Sequence, residues 1–353
     1  VSIEQDAREG AERPGPWHGG SGSPRLHVVT GKGGTGKTTV AAALAVALAG
    51  PGRRVLLCEV EERQGISQVL DIPPLGPDEV EATAGLDGGQ VYALSIEAGP
   101  ALAEYLRLFY KLGRAGDVLQ RIGAIDFATT IAPGVRDVLL GGKVYEATRR
   151  RIGTRRTPPT YERSEPFFFD AVVLDAPPTG RVGRFLNVTE HLADLAKVGP
   201  IRSQADSISS LLHSPATAVH LVTLLERMPV QETLDAAAEL RATGLPVGAV
   251  VVNQVRAAEA AADLALLRRG APDEEVLAGH LSAVGVRPGP TTVSGLLETG
   301  VEALARWDLE RELREEVDTT GRPVLSLPHL PDGIGADAVF QLGWMLREQG
   351  VTP

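Results

Sequence analysis

Short apolar runs rich in β-branched residues alternate along the chain with longer stretches whose apolar positions recur at helical spacing. The strand candidates are Arg25–Thr30, Arg54–Val60, Gln90–Ile96, Phe167–Ala176, Ala218–Leu225, Val247–Val252 and Pro323–Leu327. Helical patterns such as Gln231–Thr243 and Ala257–Arg269 lie between them. Alternation of this kind predicts an α/β fold: a doubly wound, mostly parallel sheet covered by helices on both faces. Several strand runs are apolar without strict alternation, as strands buried on both sides must be. The interval from about 97 to 165 breaks the rhythm and reads as a helical insertion on one edge of the core. In it, Leu102, Tyr105, Leu106 and Phe109 share one helix face, expected to pack on the core rather than to meet a client.

Composition narrows the class. The chain has 353 residues, of which 43% are hydrophobic and 23% charged, as in soluble globular proteins. Its formal net charge is −10, so no nucleic-acid partner is expected. Arg149, Arg150, Arg151, Arg155 and Arg156 interrupt that acidic background and read as a solvated loop, with an anionic partner as the sharper alternative. The single cysteine, Cys58, lies in an apolar strand run and reads as a small core residue. One thiol excludes an intramolecular disulfide and a cysteine-based zinc site, so no zinc is expected and a reducing cytoplasm fits. The longest strongly apolar run, Ala41–Ala49, is too short to span a bilayer. Residues 1–24 are rich in Gly, Pro, Ser and charge and read as a mobile extension without a leader pattern. Residues 25–353 show no dividing linker and are expected to form one domain.

The strand candidate at Arg25–Thr30 leads into Gly31-Lys32-Gly33-Gly34-Thr35-Gly36-Lys37-Thr38-Thr39, and an Ala-rich helical run follows. The pattern G-x-x-x-x-G-K-[ST] between a strand and a helix is the phosphate-cradling P-loop. Backbone N–H groups of Gly33, Gly34, Thr35, Gly36, Lys37, Thr38 and Thr39 would face the phosphates, aided by the positive end of the helix. Lys37 would sit between the outer phosphates, and Thr38 would ligate Mg²⁺. A second candidate, Phe167–Asp175, is an apolar run ending in a carboxylate, which suits Asp175 to the metal side of the same site. Ala176-Pro177-Pro178-Thr179-Gly180 follows, stiff at the prolines and pliant at the glycine. The seven histidines (His18, His27, His191, His213, His220, His280 and His329) show no metal-ligand spacing. Asp273-Glu274-Glu275 reads as the first turn of a helix rather than a metal site.

Together these residues resemble the ArsA family of ATPases, which includes arsenite-pump ATPases and the guided-entry ATPases of tail-anchored membrane proteins. Lys32 to Thr38 match the family's deviant Walker A loop, K-G-G-x-G-K-T, of the SIMIBI type of P-loop NTPase. Asp175-Ala176-Pro177-Pro178-Thr179-Gly180-Arg181, then Arg184-Phe185-Leu186, match its D-T-A-P-T-G-H and R-F-L segments. Val252-Asn253-Gln254 matches its V-N-Q, and Leu327-Pro328-His329-Leu330-Pro331 its L-P-x-x-P. The resemblance implies that ATP or ADP binds with Mg²⁺, with Asn253 and Pro328 near the adenine. It implies a dimer in which Lys32 acts across the interface. An ungapped alignment puts Glu61 where the family has its water-positioning aspartate, and Arg181 where it has a histidine. A displacement near 1 Å at such a carboxylate can cost on the order of a hundredfold in rate. The guided-entry Cys-x-x-Cys and the thiolates of an arsenite pump are absent, and only Met228 and Met345 could contribute to a methionine groove.

These departures resemble the paired ArsA-like ATPases of actinobacteria. The expected function is therefore a dimeric ATP-hydrolysing switch, slow without its partner, acting on a protein or membrane-associated client. The partner would be a divergent homologue, with a homodimer as the alternative. A cytoplasmic protein, or one peripheral at the membrane, is expected. A weakly catalytic nucleotide-binding subunit and a MinD- or ParA-like partitioning ATPase remain open. Against the last, Ala338–Arg347 reads as a packed core helix rather than a basic membrane helix.

Overall fold

The computed structural model describes residues 23–60, 64–102, 133–152, 166–186, 200–256, 267–270, 272–331 and 333–353. Eight strands form one sheet: β1 Leu26–Gly31, β2 Arg54–Val60, β3 Val80–Ala84, β4 Gln90–Ile96, β5 Ala171–Asp175, β6 Thr217–Thr223, β7 Val247–Val255 and β8 Val324–Pro328. Their order is β3-β4-β2-β5-β1-β6-β7-β8. Every pairing is parallel except β3 with β4. The nine helices given ranges here are α1 Lys37–Leu48, α2 Gly65–Leu70, α3 Pro133–Arg149, α4 Thr179–Leu186, α5 Pro200–Leu212, α6 Arg227–Ala242, α7 Glu274–Ala283, α8 Pro290–Asp318 and α9 Ala336–Glu348. The doubly wound, mostly parallel α/β sheet expected from the alternation is the observed architecture.

The apolar core divides into two layers, one on each face of the sheet. On one face α1, α2 and α9 pack through residues such as Leu44, Ile66, Val339 and Leu346. On the other face α3 to α6 and the end of α8 pack through Val144, Phe185, Ile208, Leu240 and Leu313. All six residues of β1 are buried, so its run shows no polar face to read. Helix α1 is apolar nearly all round because it is wedged between the sheet and α9. The packed-helix reading of Ala338–Arg347 is therefore met by α9.

Several expectations change in detail. β3 is a polar edge strand with Val80 exposed, and its V-E-A-T-A run carries little apolar signal. The Phe167–Ala176 candidate is strand only from Ala171. Upstream, Phe167 forms an isolated antiparallel bridge with Arg151 and lies between the guanidinium groups of Arg25 and Arg151. Arg150 is not solvated: it pairs with Glu79 and Glu146 at 2.7 and 2.6 Å. Burial opposes its charge, but the hydrogen bonds to Glu146 and Glu79 outweigh that and hold its pKa above the ordinary arginine value. Arg150 and Arg151 thus brace the base of the sheet, whereas Arg149 is exposed and contacts Tyr145 of its own helix; Arg155 and Arg156 lie outside the described residues. Part of the insertion is core, since α3 buries Val138, Leu140 and Val144. Leu102 is buried, whereas Tyr105, Leu106 and Phe109 lie outside the described residues, as do residues 1–22. Asp273 accepts a hydrogen bond from the Glu275 N–H and caps α7, as its acidic first turn implied. Among the described residues no helix is long and apolar enough to cross a membrane.

Two histidines sit inside this core. The Ala249 N–H donates to His220 Nδ1 at 3.0 Å, and His220 Nε2 lies 3.1 Å from His27 Nδ1. With Nδ1 an acceptor, His220 carries its proton on Nε2 and donates it to His27. Burial, with Arg53 nearby, pulls His27 down to about 4. Burial, His27 and Arg322 hold His220 well below the usual imidazole value. Both rings are neutral in the fold, whereas unfolded histidine titrates near 6.5. Their stabilisation is complete above that value and is lost as pH falls toward 4. His27 alone should cost roughly 2 kcal/mol between pH 7 and 5. Urea unfolding across that range should show the loss, and a His27→Gln, His220→Gln double variant should flatten the slope. An unchanged slope would refute the assignment.

Candidate nucleotide site

The loop Lys32–Gly36 joins β1 to α1 at the carboxyl ends of the parallel strands. β1 lies between β5 and β6, where the winding of the sheet reverses. Ligands of open α/β sheets bind in such a crevice. A cavity of about 300 Å³ opens there, lined by Gly34, Gly36, Lys37, Thr38, Asp175 and their neighbours.

The loop is held mainly by side-chain donors, with one amide, the Thr35 N–H, turned inward to the Lys32 carbonyl at 3.4 Å. The Lys32 carbonyl accepts from Thr35 Oγ1 at 2.9 Å and from Lys37 Nζ at 3.3 Å. The Thr35 carbonyl accepts from Asn253 Nδ2 at 2.9 Å. Asn253, 6% exposed, owes its aim to a bulge in β7. The register with β8 slips between Val252 and Val255, and Gln254 takes a left-handed conformation at φ 55°. Below the loop, Thr30 Oγ1 donates to the Pro177 carbonyl at 2.7 Å and ties β1 to the segment after β5.

Opposite Lys37, Thr38 Oγ1 donates to Asp175 Oδ2 at 2.5 Å. Hydroxyl and carboxylate oxygens converging beside a lysine are a hard donor set that fits Mg²⁺. No cluster of three or more His, Cys, Asp or Glu is present among the described residues. Two strand ends place a second acid nearby, since Glu59 on β2 is in register with Asp175. Glu59, 2% exposed, accepts from the Gln64 N–H at 2.9 Å and the Ile66 N–H at 3.1 Å, which anchors the start of α2. Gly65 there leaves room for Thr38, whose methyl and hydroxyl would crowd any β-carbon.

The structure therefore brings Lys37, Thr38, Asp175 and the Gly34–Gly36 backbone together, with Asn253 behind them. Gly33 is exposed beside Gly34, and Thr39 follows on α1. Lys32 turns away to Glu232 on α6, at 2.7 Å. Pro328 ends β8 opposite Val255 and does not line the cavity. Glu61 lies outside the described residues. Sequence reasoning missed Glu59, although an acid ending an apolar strand run was a usable signal. It also missed Glu232, which carries no local signal. Cys58 is buried, and burial pushes its thiol pKa up, so it is an inert core residue.

Gly36 has φ 85°, and a β-carbon there would meet Asn253 Nδ2. Gly36→Ala should cost roughly 1–2 kcal/mol in backbone strain alone, and the clash should lower ADP affinity at least about tenfold. Asn253→Ala in the same chain should recover part of the loss, because it removes the clash and leaves the strain. Calorimetric titration with ADP would show both effects; full affinity in Gly36→Ala would refute this loop geometry.

Comparison with known proteins agrees with the geometry. Residues 25–214 match the family described as anion-transporting ATPase (ArsA ATPase). ATPase BagA of Mycobacterium tuberculosis is 47% identical over 328 residues, covering 93% of this chain and 94% of that protein. ATPase ARSA1 of Chlamydomonas reinhardtii is 22% identical over 352 residues, 86% of this chain and 42% of that protein. A P-loop on β1, an acid on β5 and a family match across both establish that the chain belongs to the ArsA family of ATPases.

Proposed function

We propose that this ATPase is a dimeric switch that hydrolyses Mg-ATP and couples its nucleotide state to a protein or membrane-associated client. The observation that carries the reading is the Thr38–Asp175 hydrogen bond across the cavity from Lys37. Thr38 and Asp175 would hold Mg²⁺, which neutralises charge on the outer phosphates. The Gly33–Thr39 backbone binds the phosphates and Lys37 supplies the fixed positive charge. Lys32 reaches the phosphates of the facing subunit and offsets charge developing in the transition state. Asn253 and Pro328 stand on the adenine side, and Asn253 also clamps the loop.

The partner is a divergent ArsA-like homologue rather than a second copy. Glu61 and Arg181 support this, because the binding residues are kept while the residues that trigger hydrolysis differ from the family pattern. Cytoplasmic action, at times against a membrane, fits such a client.

Lys37→Ala should lose affinity for ADP on the order of a hundredfold. Lys32→Ala should keep that affinity while turnover falls about a thousandfold or more. Equal losses of binding and turnover in Lys32→Ala would refute the trans role. The chain alone should turn over slowly and speed up with the homologue. If it matches the mixture unaided, and Glu61→Gln abolishes that rate, it is a self-sufficient homodimer.

A further inference from the structure

The two lysines of the phosphate loop leave it in different directions. Lys37 lines the cavity, whereas Lys32 does not. Lys32 Nζ instead lies 2.7 Å from Oε1 of Glu232, on the second turn of α6. The other oxygen of that carboxylate, Oε2, accepts from Thr179 Oγ1 at 3.4 Å. Thr179 is the first residue of α4 and follows Asp175 by four positions. One carboxylate thus touches both the phosphate loop and the segment downstream of the metal-side aspartate.

We propose that Glu232 is a restraining residue: it holds Lys32 within its own subunit, and hydrolysis requires this pair to open. The inference rests on the reading that Lys32 acts on phosphates across the dimer. An ammonium paired with Glu232 cannot at the same time reach a phosphate of the facing subunit. The pair is half-exposed, at 30% and 36% for the two side chains, so water and salt weaken it. That makes it a restraint that can be exchanged. A nucleoside triphosphate presents several negative charges to Lys32 against one on Glu232, so the released arrangement gains when a loaded subunit faces it. Release also loosens Glu232 from Thr179, which links the freeing of Lys32 to the start of α4. Neither residue of the pair takes part in the Thr38–Asp175 contact or in the buried contact of Asn253 with Thr35.

Glu232→Gln tests this, because it keeps the volume and an acceptor for Thr179 and removes only the charge. With the full chain and its partner ATPase at low salt, kcat should rise about two- to fivefold. KM for Mg-ATP should barely change, because Lys32 does not line the cavity. The gain should vanish near 1 M salt, where screening has already opened the wild-type pair. It should also be absent when Glu232→Gln is placed in a Lys32→Ala chain. Glu232→Ala should show at least the same gain, with a melting temperature close to wild type. Unchanged or lower kcat in a folded Glu232→Gln chain, or a gain that persists without Lys32, would overturn the role of Glu232 alone. A wild-type complex with no turnover would overturn the reading of the site as well.

Discussion

A phosphate loop can offer its amides to a ligand only if its own carbonyl groups are tied down elsewhere. Here the Lys32 carbonyl is held from within the loop, and the Thr35 carbonyl from β7 by Asn253. The anchor on Thr35 comes from a strand 218 residues downstream in sequence. It can arrive only because β1, β6 and β7 run parallel and end at one edge. The same edge brings Asp175 of β5 to Thr38. Parallel pairing needs helical crossovers, and these cover both faces. The two buried layers and the cavity at the strand ends follow from that arrangement.

Burial separates the permanent contacts of the site from the exchangeable ones. Glu59 is buried and satisfied by two backbone N–H groups, so it fixes where α2 begins. Lys37 is buried and directed along the cavity wall. Lys32 and Glu232 lie at the rim, where solvent competes for each. The site thus has a buried interior of satisfied contacts and a rim whose ion pair is open to solvent. The strained backbone at Gln254 lies at the exposed end of β7, and its cost is offset by the aim it gives to the buried Asn253.

Local patterns in the chain were enough to place most strands, the α1 helix, the phosphate loop and the acid at the end of β5. Each rests on a period or a motif contained within about a dozen residues. The edge strand β3 was not legible, because an edge exposed to water needs no apolar pattern. The triple phenylalanine misled in the other direction: Phe167 and Phe168 stack against Arg25, Arg151, Arg54 and Arg150, and Phe169 fills the core, without extending β5. Arg150 of the arginine cluster misled as well, since its partly buried carboxylate partners are Glu79 and Glu146.

By itself, then, the sequence determined the class of fold, the Gly-rich loop between β1 and α1 and the acid that ends β5, because those depend on neighbours along the chain. Only the tertiary structure decided that Asn253 clamps the loop, that Glu59 anchors α2, that the two histidines share a proton in the core, and that Lys32 faces Glu232. Apart from Glu59, whose partners lie five and seven residues on, those contacts join residues far apart in sequence. The pairing of these distant residues is set by the order of strands in the sheet and, for Asn253, by the slip of register in β7, and neither leaves a trace in local periodicity.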